Sequence, residues 1–201
     1  MRERDSKLTL IACSIFKKEI ETLQKENKIA VPAVYLDSMQ HMFPDRLSAN
    51  LGKAVEEQAA LGRKSILVYG ECHAFIEDYF SNPSVERVRG MNCVEIFLGR
   101  ESYRALRKEG VFFLIPEWAS RWKVVFQKEL GLNERNAKDF MKEMHTKIVY
   151  LDTGSAEAPA EAISEISEYT GLAVETKKIT LDHFLKVIEE AIERLNSHER
   201  R

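Results

Sequence analysis

The sequence predicts one α/β domain over residues 1–201: a mostly parallel sheet of about six or seven strands with helices on both faces, Rossmann-like but without a dinucleotide fingerprint. Three observations carry this reading. Short β-rich apolar runs alternate with longer amphipathic segments along nearly the whole chain, the pattern of βα units whose strands must pair in parallel. No repeat, low-complexity tract or convincing linker interrupts it; the stretch "GSAEAPAE" is short enough for a βα loop. Neither G-x-G-x-x-G nor G-x-x-x-x-G-K-[ST] occurs, and the loop "ACSIF" after the first strand has no glycine to admit a pyrophosphate.

Each element has its own signal. "KLTLIAC" is a strand, followed by a helix over "SIFKKEIETLQKENK" in which Ile15, Phe16, Ile20 and Leu23 recur at helical spacing. "AVPAVYL" is a second strand, and Pro32 assigns it to an edge or marks its first residues. A helix over "DRLSANLGKAVEEQAALGR" takes Asp45 as its N-cap and Gly62 as its stop. "KSILVYG" is the most buried strand by pattern; a short helix over "AFIEDYF" and a short strand at "ERVRG" follow. "NCVEIFLGRESYRALRKEG" reads as one helix, capped by Asn92 and stopped by Gly110. "VFFLIP" is a strand, residues 117–145 are helical with a break near "GLNERN", and "KIVYLDTG" is a strand. A helix over "AEAISEISEYTG", a last strand "LAVETKKI" and a closing helix "LDHFLKVIEEAIERL" complete the chain.

Composition narrows the function classes. A hydrophobic fraction of 44% supplies a proper core, while a net charge of −2 with Lys and Arg interleaved among Asp and Glu gives no basic face for nucleic acid. No apolar run reaches the roughly 18–20 residues that span a bilayer, so no membrane partner is expected. "MRERDSKLTLIACSIFKKE" reads as a strand and not a signal peptide, which predicts a cytoplasmic, reducing setting. Three cysteines there do not make a disulfide framework. A G-x-S-x-G elbow is absent, which argues against a serine hydrolase.

The chemistry is expected where βα loops converge, outside the carboxyl ends of the strands. Cys13 closes the first strand, Cys72 follows the strand "KSILVYG", and Cys93 follows the Asn92 cap in the first turn of a helix. Any one of them could be a small buried hydrophobe. All three at one edge favour a shared site, because helix N-termini stabilise thiolates and a cation would relieve their mutual repulsion. His73 adjoins Cys72, and His41 lies in the loop "LDSMQHMFP"; each is a further metal ligand to weigh against an ordinary loop histidine. Asp37, Glu117, Trp118 and Asp152 also follow strands and could line a pocket, whereas Trp122 reads as core. His145, His183 and His198 look peripheral.

The motifs "LDSMQHMFPDRL", "ILVYGECH", "CVEIFLGRESYRALRKEG" and "FFLIPEWASRW", in that order, resemble the bacterial and archaeal family of domains of unknown function numbered 1638. The resemblance runs from the first strand through "YLDTG". It implies that a strand-closing cysteine, a Y-G-x-C and a helix-opening cysteine belong together, here Cys13, Cys72 and Cys93. It also matches His41 ahead of a proline, and Trp118 and Trp122 in a W-x-x-x-W. His73 stands where the family commonly has glycine. The family carries no established activity, and its occurrence in organisms that use corrinoid-dependent methyl transfer implies a link to a corrinoid protein.

Three functions fit. The first is a [4Fe-4S] cluster on the three cysteines, its fourth iron open to a small-molecule or thiol substrate. The second is zinc on the same cysteines, completed by His41, His73 or water and used in thiol or methyl transfer. The third is a non-catalytic metallochaperone or corrinoid-associated binding module. Whether the protein is an enzyme, and whether it forms a homo-oligomer, the sequence leaves open.

Overall fold

The computed structural model describes residues 7–71 and 82–197. In chain order these form β1 (Leu8–Cys13), a 3₁₀ turn (Ser14–Phe16), α1 (Lys17–Lys25), β2 (Ala33–Leu36), a 3₁₀ turn (Ser38–Met42), α2 (Pro44–Ala60) and β3 (Lys64–Val68). Then come β4 (Val85–Arg87), α3 (Cys93–Leu98), α4 (Arg100–Lys108), β5 (Val111–Leu114), α5 (Pro116–Ser120) and a π-helical stretch (Val124–Glu129). They are followed by α6 (Ala137–Met144), β6 (Lys147–Asp152), α7 (Ala160–Thr170), β7 (Val174–Lys178) and α8 (Asp182–Ser197). The expected helix over "AFIEDYF" lies outside the described residues.

The chain separates into two compact units, Met1–Gly99 with Leu181–Arg201, and Arg100–Thr180. The predicted α/β class and parallel pairing hold, and there are seven strands among the described residues, but they form two sheets rather than one. In the first unit the order is β2-β1-β3-β4, every pair parallel. β2 is therefore an edge strand and begins directly after Pro32, as a residue without an N–H requires. Ile11, Leu67 and Tyr69 meet Leu47, Leu51 and Val55 of α2 in one core cluster. Thr9 donates to Gln58 at 3.0 Å and satisfies the one buried amide of α2 against β1. A separate aromatic trio ties Phe16, Phe97 and Phe184 together, with ring centroids 5.1–5.2 Å apart.

Two helix boundaries differ from the sequence reading. Pro44, not Asp45, opens α2: Phe43 is its cap residue, and Asp45 falls in the first turn beside the helix's positive end. The long helix expected from residue 92 to 110 is two helices, because Gly99 adopts φ +76° between them. The His183 ring stands 3.2 Å from where a Cβ on Gly99 would lie, so a side chain there would meet both backbone strain and a neighbour.

The second unit has the order β5-β6-β7, again parallel throughout. Its core joins Leu114, Trp122, Phe126, Met141, Tyr150 and Ile166. The expected break near "GLNERN" separates the π-helical stretch from α6. Trp122 is core, as expected, with its Nε1–H donating to Glu165 at 3.0 Å.

Among the described residues no helix is long and apolar enough to cross a membrane. Burial holds the imidazoles of His145 and His183 below the ordinary value of 6.5. For His145 this outweighs a hydrogen bond with the backbone of Gly110; for His183 the charge of Lys186 adds to it. The unfolded chain therefore binds more protons just below pH 6.5 than the folded one. Stability from these groups is complete above that pH and is lost as pH falls towards the folded values. The urea midpoint is expected to drop between pH 7.5 and 5.5, and a His145→Asn, His183→Asn double variant should flatten that slope.

Candidate functional site

From β1 the chain passes to β2 on one side and then crosses to β3 on the other, so the direction of winding reverses between β1 and β3. At such a reversal the loops of an open parallel sheet diverge, and ligands usually bind there, at the carboxyl ends of the strands. Cys13 is the last residue of β1, aligned with Leu36 of β2. It is half-buried and rests with Leu36 against the core beneath α2. The next residue joins the two loops, since the Ser38 N–H donates to Ser14 Oγ at 2.9 Å.

The loop after β2 is ordered by its own side chains. Asp37 Oδ1 accepts from the Met39 N–H at 2.8 Å and caps the 3₁₀ turn. The His41 Nδ1–H donates to the Ser38 carbonyl in a short contact, which leaves Nε2 as the acceptor nitrogen of the ring. A backbone carbonyl holding one ring nitrogen is the arrangement that commonly orients a metal-binding histidine.

On the other side of this reversal, the end of β3 meets the start of α3. Asn92 Oδ1 caps α3 by accepting from the Glu95 N–H at 2.9 Å, and Cys93, half-buried, is the first helical residue. The helix is six residues long, not the extended one the sequence suggested, so its dipole at Cys93 is much shorter. Gly70 makes the approach to β3 possible. A Cβ on it would lie 2.5 Å from the Asn92 Cα and 2.8 Å from the Met91 carbonyl oxygen. The Glu71 N–H donates to that Met91 carbonyl at 2.8 Å. Arg87 fastens the same junction, donating to the carbonyls of Tyr69 at 3.3 Å and Gly90 at 3.1 Å, and to Glu71 at 3.3 Å.

Cys72 and His73 lie outside the described residues. Among the described residues no group of three or more His, Cys, Asp or Glu side chains could hold a metal ion. Glu117, Trp118 and Asp152 belong to the carboxyl edge of the other sheet, β5-β6-β7. Glu117 pairs with Arg121 at 2.6 Å, Arg121 also with Glu129 at 2.6 Å, and Asp152 Oδ1 accepts from the Gly154 N–H at 3.0 Å. The sequence reading missed Arg87 and the role of Gly70. A glycine ending a strongly buried strand was the available signal, since it often marks a close backbone approach.

Fold and site define a doubly wound, parallel α/β protein with thiols at the carboxyl edge of its first sheet. The chain matches the family described as "Protein of unknown function (DUF1638)" over residues 35–188, and it belongs to that family. The matched span includes His41, Cys72, Cys93 and the first part of α8, and starts after Cys13. No curated protein and no solved structure matches the chain.

Proposed function

We propose that this cytoplasmic protein binds a metal centre through Cys13, Cys72 and Cys93, with a [4Fe-4S] cluster as the group these residues suit best. The observation that carries the reading is the contact of Gly70 with Met91 and Asn92, beside the reversal between β1 and β3. It joins the strand end leading towards Cys72 to the turn that opens at Cys93, while Cys13 ends the neighbouring strand. The half-buried thiols of Cys13 and Cys93, joined by Cys72 from the sequence, make a donor set for iron–sulfur or zinc. A cluster held by three cysteines supplies an iron able to act as a Lewis acid on a small-molecule or thiol substrate. The chain's part is to fix the thiolates and, through the Arg87 contacts, to keep the loops that carry them together.

One observation favours zinc as the second reading: the Ser38 carbonyl orients His41 with Nε2 available as a fourth ligand. Metal analysis and the visible spectrum of protein purified without oxygen decide between them. Near four irons per chain with a broad band around 400 nm supports the cluster (values usual for such clusters). About one zinc, lost in His41→Ala, supports the second reading. Absence of both metals overturns the proposal.

A further inference from the structure

Within the first unit, the edge strand β4 and the residues flanking it meet the last turns of α8 around a cleft of about 320 Å³. That volume falls within the roughly 300–1,000 Å³ of small-molecule sites. Three arginines line it, Arg87, Arg89 and Arg194, against the single acid Glu86. An edge strand ordinarily offers free backbone groups to a further strand. At β4 those groups are taken. The Ser84 carbonyl and the Val88 N–H bond to β3, which turns the N–H and carbonyl of Arg87 outward. Glu86 Oε1 accepts from that N–H at 2.9 Å, and Arg194 Nη2 donates to that carbonyl at 2.7 Å. The cleft therefore presents side chains to a ligand, not a backbone edge to a strand.

The same contacts decide which donors remain. The Arg87 guanidinium is spent on Tyr69, Gly90 and Glu71. Arg194 is anchored through Nη2 and, at 3.5 Å, through Nε to Glu86, which leaves Nη1 to face a ligand. Arg89 is exposed and pairs with no acid among the described residues. Asn82 gives its Oδ1 to the Ser84 N–H at 2.9 Å, so its amide N–H groups are left to donate. Donors from three side chains suit an oxyanion with three terminal oxygens, and a guanidinium fork matches phosphate in particular. A carboxylate offers only two oxygens. Pro83, Val85 and Leu195 add an apolar wall for the organic part of a ligand. We propose that this cleft binds a small phosphate monoester, its phosphate held by Arg89 and Arg194 with Asn82 beside them. This does not depend on the metal reading, because no cysteine lines the cleft.

Calorimetric titration of the full chain with glycerol 3-phosphate, ribose 5-phosphate and adenosine 5′-monophosphate tests it, with glycerol, ribose, adenosine and inorganic phosphate as the separate halves. At least one ester should bind at least tenfold more tightly than its alcohol and than inorganic phosphate. Arg89→Ala and Arg194→Lys should each weaken that ester about tenfold or more, the usual loss for a hydrogen bond between charged groups. The second keeps the charge and removes the fork, so it reads geometry apart from Coulomb attraction. Glu86→Gln keeps an acceptor for the Arg87 N–H and removes the one negative charge of the lining, so it should tighten binding. Arg100→Ala, at an exposed arginine of the other unit, should bind as wild type. No binding across the esters overturns the proposal. So does an alcohol or inorganic phosphate binding as tightly as every ester, or affinity unchanged in both Arg89→Ala and Arg194→Lys.

Discussion

Metal content is expected to fall to background in Cys13→Ser, Cys72→Ser and Cys93→Ser alike, and in the corresponding alanine variants. The pairing of serine with alanine separates a ligand from a packing residue. Cys13 rests beside Leu36 on an apolar core, so for folding alone alanine should be gentler than serine, which brings a hydroxyl to that surface. As a ligand it has no such preference, since neither replacement supplies a thiolate. Compared in their metal-free forms, wild type and Cys93→Ser should differ by less than about 1 kcal/mol in urea unfolding, because this half-buried position opens a helix, where serine is well tolerated. The metal-loaded forms should differ by more, since a bound metal stabilises only the chain that holds it. Equal metal content in wild type and any one of the variants would remove that cysteine from the site.

The parts of this protein that were legible in its sequence are those set by local pattern. Alternating strand and helix periods pointed to six or seven strands, Pro32 to the edge position of β2, a strand end to the place of Cys13, and the Asn92 cap to Cys93 at a helix start. The separation into two sheets was not legible, because β4 and β5 have the same local pattern whether or not they share a sheet. Pairing is a long-range property that no window of residues records. The break at Gly99 was hidden for a related reason. One glycine within a strong amphipathic pattern costs only about 1 kcal/mol if helical, so the pattern could be carried through it. Only the positive φ and the packed His183 ring show why the helix stops. The cleft shared by Arg89 and Arg194 has no sequence signature at all, since only the finished packing of α8 beside β4 brings the two arginines to one cavity.

Gly70→Ala should separate the geometry of the candidate centre from its chemistry, because it alters no ligand. The added methyl would stand 2.5 Å from the Asn92 Cα and 2.9 Å from its amide nitrogen, both backbone atoms that cannot rotate aside. Either β3 or the start of α3 must move, and overpacking of this kind typically costs about 1–3 kcal/mol. Such a shift works directly against the Glu71–Met91 hydrogen bond and the Arg87 contacts that hold the junction. Gly62→Ala is the matched control. Gly62 has φ +69° with open space around it, so alanine there brings backbone strain of about 1–2 kcal/mol and no collision. The two variants can therefore be of similar stability yet differ in metal. If the close approach at Gly70 sets the spacing of the cysteines, Gly70→Ala should lose most of its metal per folded chain while Gly62→Ala keeps it. If both retain metal in proportion to folded protein, the thiols adjust to the ion without help from this junction, and Gly70 serves packing alone.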